Sequence, residues 1–359
     1  MIIGPLLLAM SVNLQTFYIG TYTSSGKSEG IYQAVLNRET GQISGLKLAA
    51  KASNPSFLAV DAPRQRIFAV HEDNEGTVSS YEIAASGDLK LLNTRSTRGA
   101  HPCHVSVDRS GRAVLVANYS SGSVVAFRVL PDGFLGESSG FYQNRGNGPN
   151  ADRQSEPHMH SIYPEADGAV TYACDLGTDE VLMFVFDSSH GTIDISEARG
   201  VKLAGGSGPR HLAISPNGRF VYVNTELSNS VWVFARDEYT YELRPIQTLS
   251  SLPAGHRGNS ATAEIACHPN GKWVYVSNRG HDSIAKFEVR QNGTLEEAEM
   301  VKVPAEPRGF AIDPSGRWLV VGGQRSDEIV AMPIDPKSGS ILPAASVISI
   351  SKPVCVVFS

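Results

Sequence analysis

Short apolar runs separated by turn residues recur about every fifty residues along this chain. Each recurrence opens at Pro or a substitute, passes through a β-branched stretch, turns near a Gly and continues into a second apolar run. The clearest copies are HPCHVSVDRSGRAVLV (101–116), GPRHLAISPNGRFVYV (208–223), TAEIACHPNGKWVYV (262–276) and EPRGFAIDPSGRWLVV (306–321). Weaker copies are NPSFLAVDAPRQRIFAV (54–70) and EPHMHSIYPEADGAVTYA (156–173). Helical periodicity is nearly absent, and the alternation reads as strands. Over 208–249 the runs HLAIS, FVYVN, SVWVFAR and ELRPIQTL make four short strands per unit, the pattern of a β-propeller blade.

Six units open near Pro55, Pro102, Pro157, Pro209, Thr262 and Pro307. KPVCVVF (352–358) reads as the first strand of a seventh, with TFYIGTY (16–22) and GIYQAVL (30–36) as its middle strands. Pairing the two chain ends would remove the exposed edge of an open array. The expectation is an all-β, seven-bladed propeller over 16–359, closed by its N- and C-terminal strands. Residues 1–15 form an apolar leader or loose tail. That segment lacks a basic n-region and is too short to span a bilayer, so it reads as a loose tail or a trimmed export signal. The polar stretch 142–156 and the Gly/Ser-rich stretch 250–262 are long loops, which are functional or mobile.

Charge and cysteine usage narrow the function. A net charge of −5 supplies no basic field, which argues against nucleic acid as a partner. The four cysteines, Cys103, Cys174, Cys267 and Cys355, lack metal-type spacing and suggest no disulfide framework. No membrane association is expected, nor more than a weak homo-oligomer.

Aligning the units against each other exposes the positions where a repeat departs from its own rule. After the opening Pro come Ser56, Cys103, His158, Arg210, Ala263, Arg308 and Val354. The next set is Phe57, His104, Met159, His211, Glu264, Gly309 and Cys355. The third is Leu58, Val105, His160, Leu212, Ile265, Phe310 and Val356. In that alignment His160 is a lone imidazole in an aliphatic ring. The antiparallel second strands end, counted from the turn Gly, at Tyr22, Asp73, Tyr119, Leu176, Glu226, Arg279 and Gln324. Both variable sets fall at one end of the blades. They gather His158, His160, Arg210, Glu226, Arg279, Arg308 and Gln324 around one opening, with His104, His211 and Glu264 beside them; His158, His160, Arg210, Glu226 and Arg279 are the candidate catalytic residues, and the other five are candidate substrate contacts.

Guanidinium groups bind phosphate or carboxylate through paired hydrogen bonds, and imidazole exchanges protons near neutral pH. Anion binding plus acid–base capacity, without a nucleophile signature, suits opening or closing of an anionic lactone. Plainer readings stand beside this one. The His residues can cap strand starts, Arg210 and Arg308 can lock neighbouring blades, and Glu226 with Arg279 can be a structural ion pair. His104, His211 and Glu264 fit a structural role more readily than a catalytic one. His158-x-His160 has no third ligand nearby in sequence, so no metal and no cofactor are expected. No G-x-S-x-G elbow or phosphate loop occurs.

At these same stretches the chain resembles the propeller-type lactonase family, whose best-known members are the seven-bladed 6-phosphogluconolactonases. The resemblance rests on 102–124, 208–234, 263–287 and 307–329 and covers 16–358. A related branch is the fungal enzyme that interconverts 3-carboxy-cis,cis-muconate and its lactone. The resemblance implies hydrolysis of 6-phospho-D-glucono-1,5-lactone in the pentose phosphate pathway, in the cytoplasm unless the leader is an export signal. It places the family's His at His158 or His160, its Arg residues at Arg210 and Arg279, and its acid at Glu226. Met159 between the two His departs from the family's polar or Pro residue and leaves open which ring faces the substrate. A lactonase or cycloisomerase for another acidic lactone, or a non-catalytic binding propeller, are the alternatives.

Overall fold

The alternating runs form seven four-stranded antiparallel sheets in this computed structural model, which describes residues 13–359. Six blades begin with their inner strands, Phe57–Asp61, Pro102–Val107, Met159–Pro164, Pro209–Ile214, Ala261–Cys267 and Pro307–Ile312. The seventh takes its inner strand, Pro353–Phe358, from the C-terminus and the next three, Leu14–Thr21, Gly30–Asn37 and Ile43–Lys51, from the N-terminus. Phe17 pairs with Phe358 and Ile19 with Val356, closing the ring. The first strand starts at Leu14, so Leu14 and Gln15 belong to the propeller rather than to the apolar start. Residues 1–12 of the expected leader lie outside the described residues.

Inner strands touch their neighbours in sequence around the whole ring. The apolar faces of adjacent blades meet in seven clusters, one per boundary. Phe17, Ile19 and Val356 of the seventh blade, for example, pack against Trp318, Val320 and Ala331 of the sixth. Strands buried on both faces explain why the runs VLVAN and VYVNT read as near-continuous apolar stretches. A buried Tyr on the second strand ties four of these boundaries. The hydroxyls of Tyr18, Tyr222 and Tyr275 donate to the carbonyls of Gly87, Gly293 and Gly339 in the next blade at 3.0, 3.1 and 2.7 Å. That of Tyr172 donates to the Tyr241 carbonyl at 2.6 Å. Tyr222→Phe leaves the Gly293 carbonyl without this donor. It is expected to cost about 1 kcal/mol, read as a shift in urea midpoint without a change in slope.

Before each of Pro55, Pro102, Pro209, Pro307 and Pro353, which lead into or open inner strands, stands a left-handed residue: Asn54, His101, Gly208, Glu306 and Lys352 all have φ between 36 and 64°. Pro fixes the following φ, so this pair turns the chain sharply toward the axis. The third blade lacks the device. Pro157 closes the preceding loop, and the strand itself starts at Met159, which pairs with Asp175 as Pro102 pairs with Asn118.

This corrects the alignment. Ile162, not His160, occupies the aliphatic third position of its blade, and Ser161 the second. His160 stands in the first position beside Cys103, Arg210 and Arg308, and His158 lies outside the strand. In the first blade the second-strand end is Glu72 rather than Asp73. There the left-handed turn residue is Gln65, the C-cap of a short 3-10 turn, four residues after Asp61. In the second blade it is Gly111, three residues after Asp108.

Candidate active site

The starts of inner strands and the ends of second strands converge at one end of the channel, because antiparallel pairing sets them side by side: Pro209 lies opposite Thr225, and Ala261 opposite Arg279. The centre of the convergence is Glu226, which follows the strand Phe220–Thr225. Its Oε2 accepts from Arg210 Nε at 3.0 Å and lies 2.8 Å from an Arg279 Nη2. Its Oε1 accepts from Arg153 Nη2 at 2.7 Å. Burial pulls the Glu226 carboxyl up, but Arg279, Arg210 and Arg153 together outweigh it and hold the group well below the ordinary carboxylate range. Glu226 is therefore an anion throughout neutral pH. Burial lowers the Arg279 guanidinium to about 10, with Arg210 and Arg308 adding to it and Glu226 opposing.

His160 Nε2 sits 4.0 Å from Glu226 Oε2, too long for a hydrogen bond. Burial, with the positive charge of Arg210 and the His211 and Arg308 side chains, pushes its pKa well below the ordinary imidazole value, so the ring is neutral. Its Nδ1 faces the Cys103 thiol at 3.6 Å. Tyr119 joins the two histidines: His158 stacks on it at 4.5 Å between ring centroids, and His160 meets it edge-on at 5.4 Å. His158 Nδ1 lies 3.1 Å from the Tyr119 carbonyl, and a carbonyl only accepts, so Nδ1 carries the proton.

A second buried group continues from Arg210. Its Nη1 donates to the Ala263 carbonyl at 2.5 Å and lies 3.2 Å from His211 Nε2. Guanidinium can only donate, so His211 Nε2 accepts and its Nδ1–H donates to Glu264 Oε1 at 3.0 Å. Burial raises the Glu264 carboxyl to about 7, with Arg210 opposing. His104 lies 5.4 Å from His211 and packs against Phe57 and Tyr163 at 4.4 and 4.5 Å. Burial pushes both imidazoles well below their ordinary value, so both are neutral.

His160, Arg210, Glu226 and Arg279 thus form one contiguous group, extended by His211, Glu264 and His104. Arg308 stands over the Tyr22 ring at 5.3 Å. Among the described residues no carboxylate lies within ion-pair distance of it. Burial disfavours its charge, but Tyr22, Glu72 and Glu226 more than compensate and raise its pKa. His158 stands one ring away, behind Tyr119. Gln324 is not joined to the group: among the described residues its side chain has no hydrogen-bond partner, and its Oε1 is buried unpaired. Sequence reasoning missed Arg153 as a site residue, although it lies in the 142–156 loop marked out by its length. It also passed over Glu72, which accepts from the Tyr22 hydroxyl at 2.9 Å.

The family model for the lactonase seven-bladed β-propeller matches residues 16–358. The chain belongs to that family. A 6-phosphogluconolactonase of Bacillus subtilis is 38% identical over 347 residues, spanning 95% of this chain and 97% of that one. One from Formosa agariphila is 30% identical over 90% of this chain and 94% of its own. The crystal structure of a periplasmic gluconolactonase of Pseudomonas aeruginosa superposes with a TM-score of 0.89 at 32% identity, over 96% of this chain and 99% of that one. A Lactobacillus plantarum protein superposes equally well, at 0.89, with 28% identity over 96% and 99% of the two chains. The lactonase is accordingly an enzyme that hydrolyses a cyclic carboxylic ester. Among the described residues no helix is long and apolar enough to cross a membrane.

Proposed function

We propose that this lactonase hydrolyses 6-phospho-D-glucono-1,5-lactone to 6-phospho-D-gluconate. The observation that carries the reading is the charge at the channel end. Arg153, Arg210 and Arg279 share the single carboxylate of Glu226 beside a neutral imidazole, and among the described residues no carboxylate lies within ion-pair distance of Arg308. Such a site carries surplus positive charge and suits an anionic substrate. The curated relatives named above support the phosphorylated lactone in particular.

In this mechanism water attacks the lactone carbonyl carbon as His160 takes its proton. The carbonyl π electrons move onto oxygen, where the Arg210 and Arg279 guanidinium groups stabilise the oxyanion; a donor so placed is worth about 3–4 kcal/mol in other enzymes. Collapse re-forms the carbonyl and breaks the bond to the ring oxygen, which takes the proton back from the imidazolium. The product is an open chain with a hydroxyl and a carboxylic acid, which ionises and releases one proton. Glu226 keeps both buried guanidinium groups oriented and favours the transient imidazolium beside it. Arg308 adds positive potential for the anionic substrate. Cytoplasmic location and a step in the pentose phosphate pathway follow from this substrate.

The test is the rate of proton release from freshly made 6-phosphogluconolactone. Purified protein should exceed the spontaneous hydrolysis rate, and an unchanged rate overturns the proposal. A second reading, the unphosphorylated gluconolactone, is favoured by the likeness to the Pseudomonas periplasmic enzyme. Specificity constants for the two lactones decide between them.

A further inference from the structure

We propose that Arg153 is the specificity-determining contact for the phosphate of the substrate, and that it exchanges the Glu226 carboxylate for that phosphate on binding. The inference rests on the phosphorylated lactone as substrate.

Of the three arginines that share Glu226, Arg210 is 3% and Arg279 13% exposed, whereas the Arg153 side chain is 42% exposed. The two carboxylate oxygens divide the work. Oε2 takes both buried guanidinium groups, and Oε1 takes only Arg153. Withdrawing Arg153 therefore leaves Glu226 still paired with two cations. Arg153 also uses only part of its fork: Nη2 serves both Glu226 and the Tyr119 hydroxyl, at 2.7 and 3.2 Å. Among the described residues its Nε and Nη1 make no hydrogen bond. An exposed guanidinium with unused donors is suited to bidentate binding of a phosphate that carries close to two negative charges. A half-exposed third cation adds little stability to a carboxylate already satisfied by two buried ones, so the pairing has no evident structural purpose.

The loop that carries Arg153 is built to hold it in place. The next residue, Gln154, is fully buried and donates from Nε2 to the Leu176 carbonyl and to Asp179 Oδ1, both at 2.8 Å. Its backbone carbonyl accepts from Gly148 N at 2.9 Å, and Asn150 Oδ1 accepts from the backbone N–H groups of Asp152 and Arg153, both at 3.2 Å. A Cβ on Gly148 would lie 2.6 Å from the Gln154 side chain, so the loop closes tightly around that anchor. The second and third blades thus present Arg153 beside the site from a fixed base, at a position where a guanidinium can discriminate substrates without forming part of the buried core.

The test compares wild type, Arg153→Gln and Arg153→Lys on 6-phosphogluconolactone and on unphosphorylated glucono-1,5-lactone, with 6-phosphogluconate binding measured by calorimetry. Arg153→Gln should raise KM for the phosphorylated lactone about 10- to 100-fold and weaken 6-phosphogluconate binding in parallel. Its kcat, and its kcat/KM for the unphosphorylated lactone, should stay within about threefold of wild type. Arg153→Lys should recover part of the loss, because it restores charge without the fork. Equal losses on both lactones would show that Arg153 only orients Glu226 and would overturn the proposal, as would an unchanged KM. Wild type that preferred the phosphorylated lactone while Arg153→Gln kept that preference would overturn this inference alone. Wild type that accelerated neither lactone, or favoured the unphosphorylated one, would overturn the substrate reading as well.

Discussion

Glu226→Gln is expected to destabilise the protein by about 3–5 kcal/mol, the range seen when one partner of a buried ion pair is removed. The side chain is 7% exposed, and Arg210 beside it 3%. The amide keeps the volume but removes the carboxylate that, among the described residues, alone lies within ion-pair distance of Arg210 and Arg279. The loss appears as a lower denaturant midpoint at pH 7. Its pH dependence has a definite sign. The folded-state pKa of Glu226 is depressed, so its contribution is fully present above the unfolded carboxyl pKa of about 4.3 and fades as pH falls toward the folded value. The gap between wild type and Glu226→Gln should therefore be constant from pH 8 to about 5 and narrow below about pH 4. A gap that instead closed toward alkaline pH would contradict a carboxylate held ionised by its arginines.

His160→Gln is expected to lower kcat by about 10² to 10⁴, the usual worth of a positioned general base, with little change in KM. Glutamine roughly preserves the polar volume of a buried site, so the midpoint of unfolding should move far less than in Glu226→Gln. The parallel change His158→Gln should leave kcat within a few-fold of wild type, since that ring stands behind Tyr119. Loss of turnover in His158→Gln and not in His160→Gln would reverse the assignment. The pH profile gives an independent check. Burial and the neighbouring positive charge hold His160 well below the ordinary imidazole pKa, so its unprotonated form persists to lower pH. The acid limb of kcat/KM should accordingly fall below pH 6.5, the midpoint of an unperturbed imidazole.

The site residues that sequence reasoning gathered owe their legibility to the repeat. Arg210, Glu226 and Arg279 stand where other blades carry unrelated residues, and strand pairing brings such positions together. The alignment failed at two places, for physical reasons. Pro157 imitates an opening Pro, but the strand begins at Met159, so the third blade was read two residues out of step. A shift of two leaves every side chain on the same face of the strand, so the slip showed only as an imidazole, His160, in a set that is otherwise apolar. In the first blade, the turn through Ala62–Arg64 moves the left-handed residue from the usual Gly position to Gln65, and counting from the turn landed on Asp73 in place of Glu72.

The sequence by itself determined the strand content, the number of blades and the closure of the ring by its two ends. All of these follow from periodic burial and from the cost of leaving a sheet edge unpaired. It also determined which end of the blades concentrates unusual chemistry. Only the tertiary structure decided how the charges are shared: that Glu226 serves three arginines through two separate oxygens, that no carboxylate among the described residues pairs with Arg308, and that Arg153 reaches in from a loop outside the repeat. The reason is that periodicity records which face a residue occupies along its own strand. The partners of a buried charge come from other blades, at separations that no local pattern encodes.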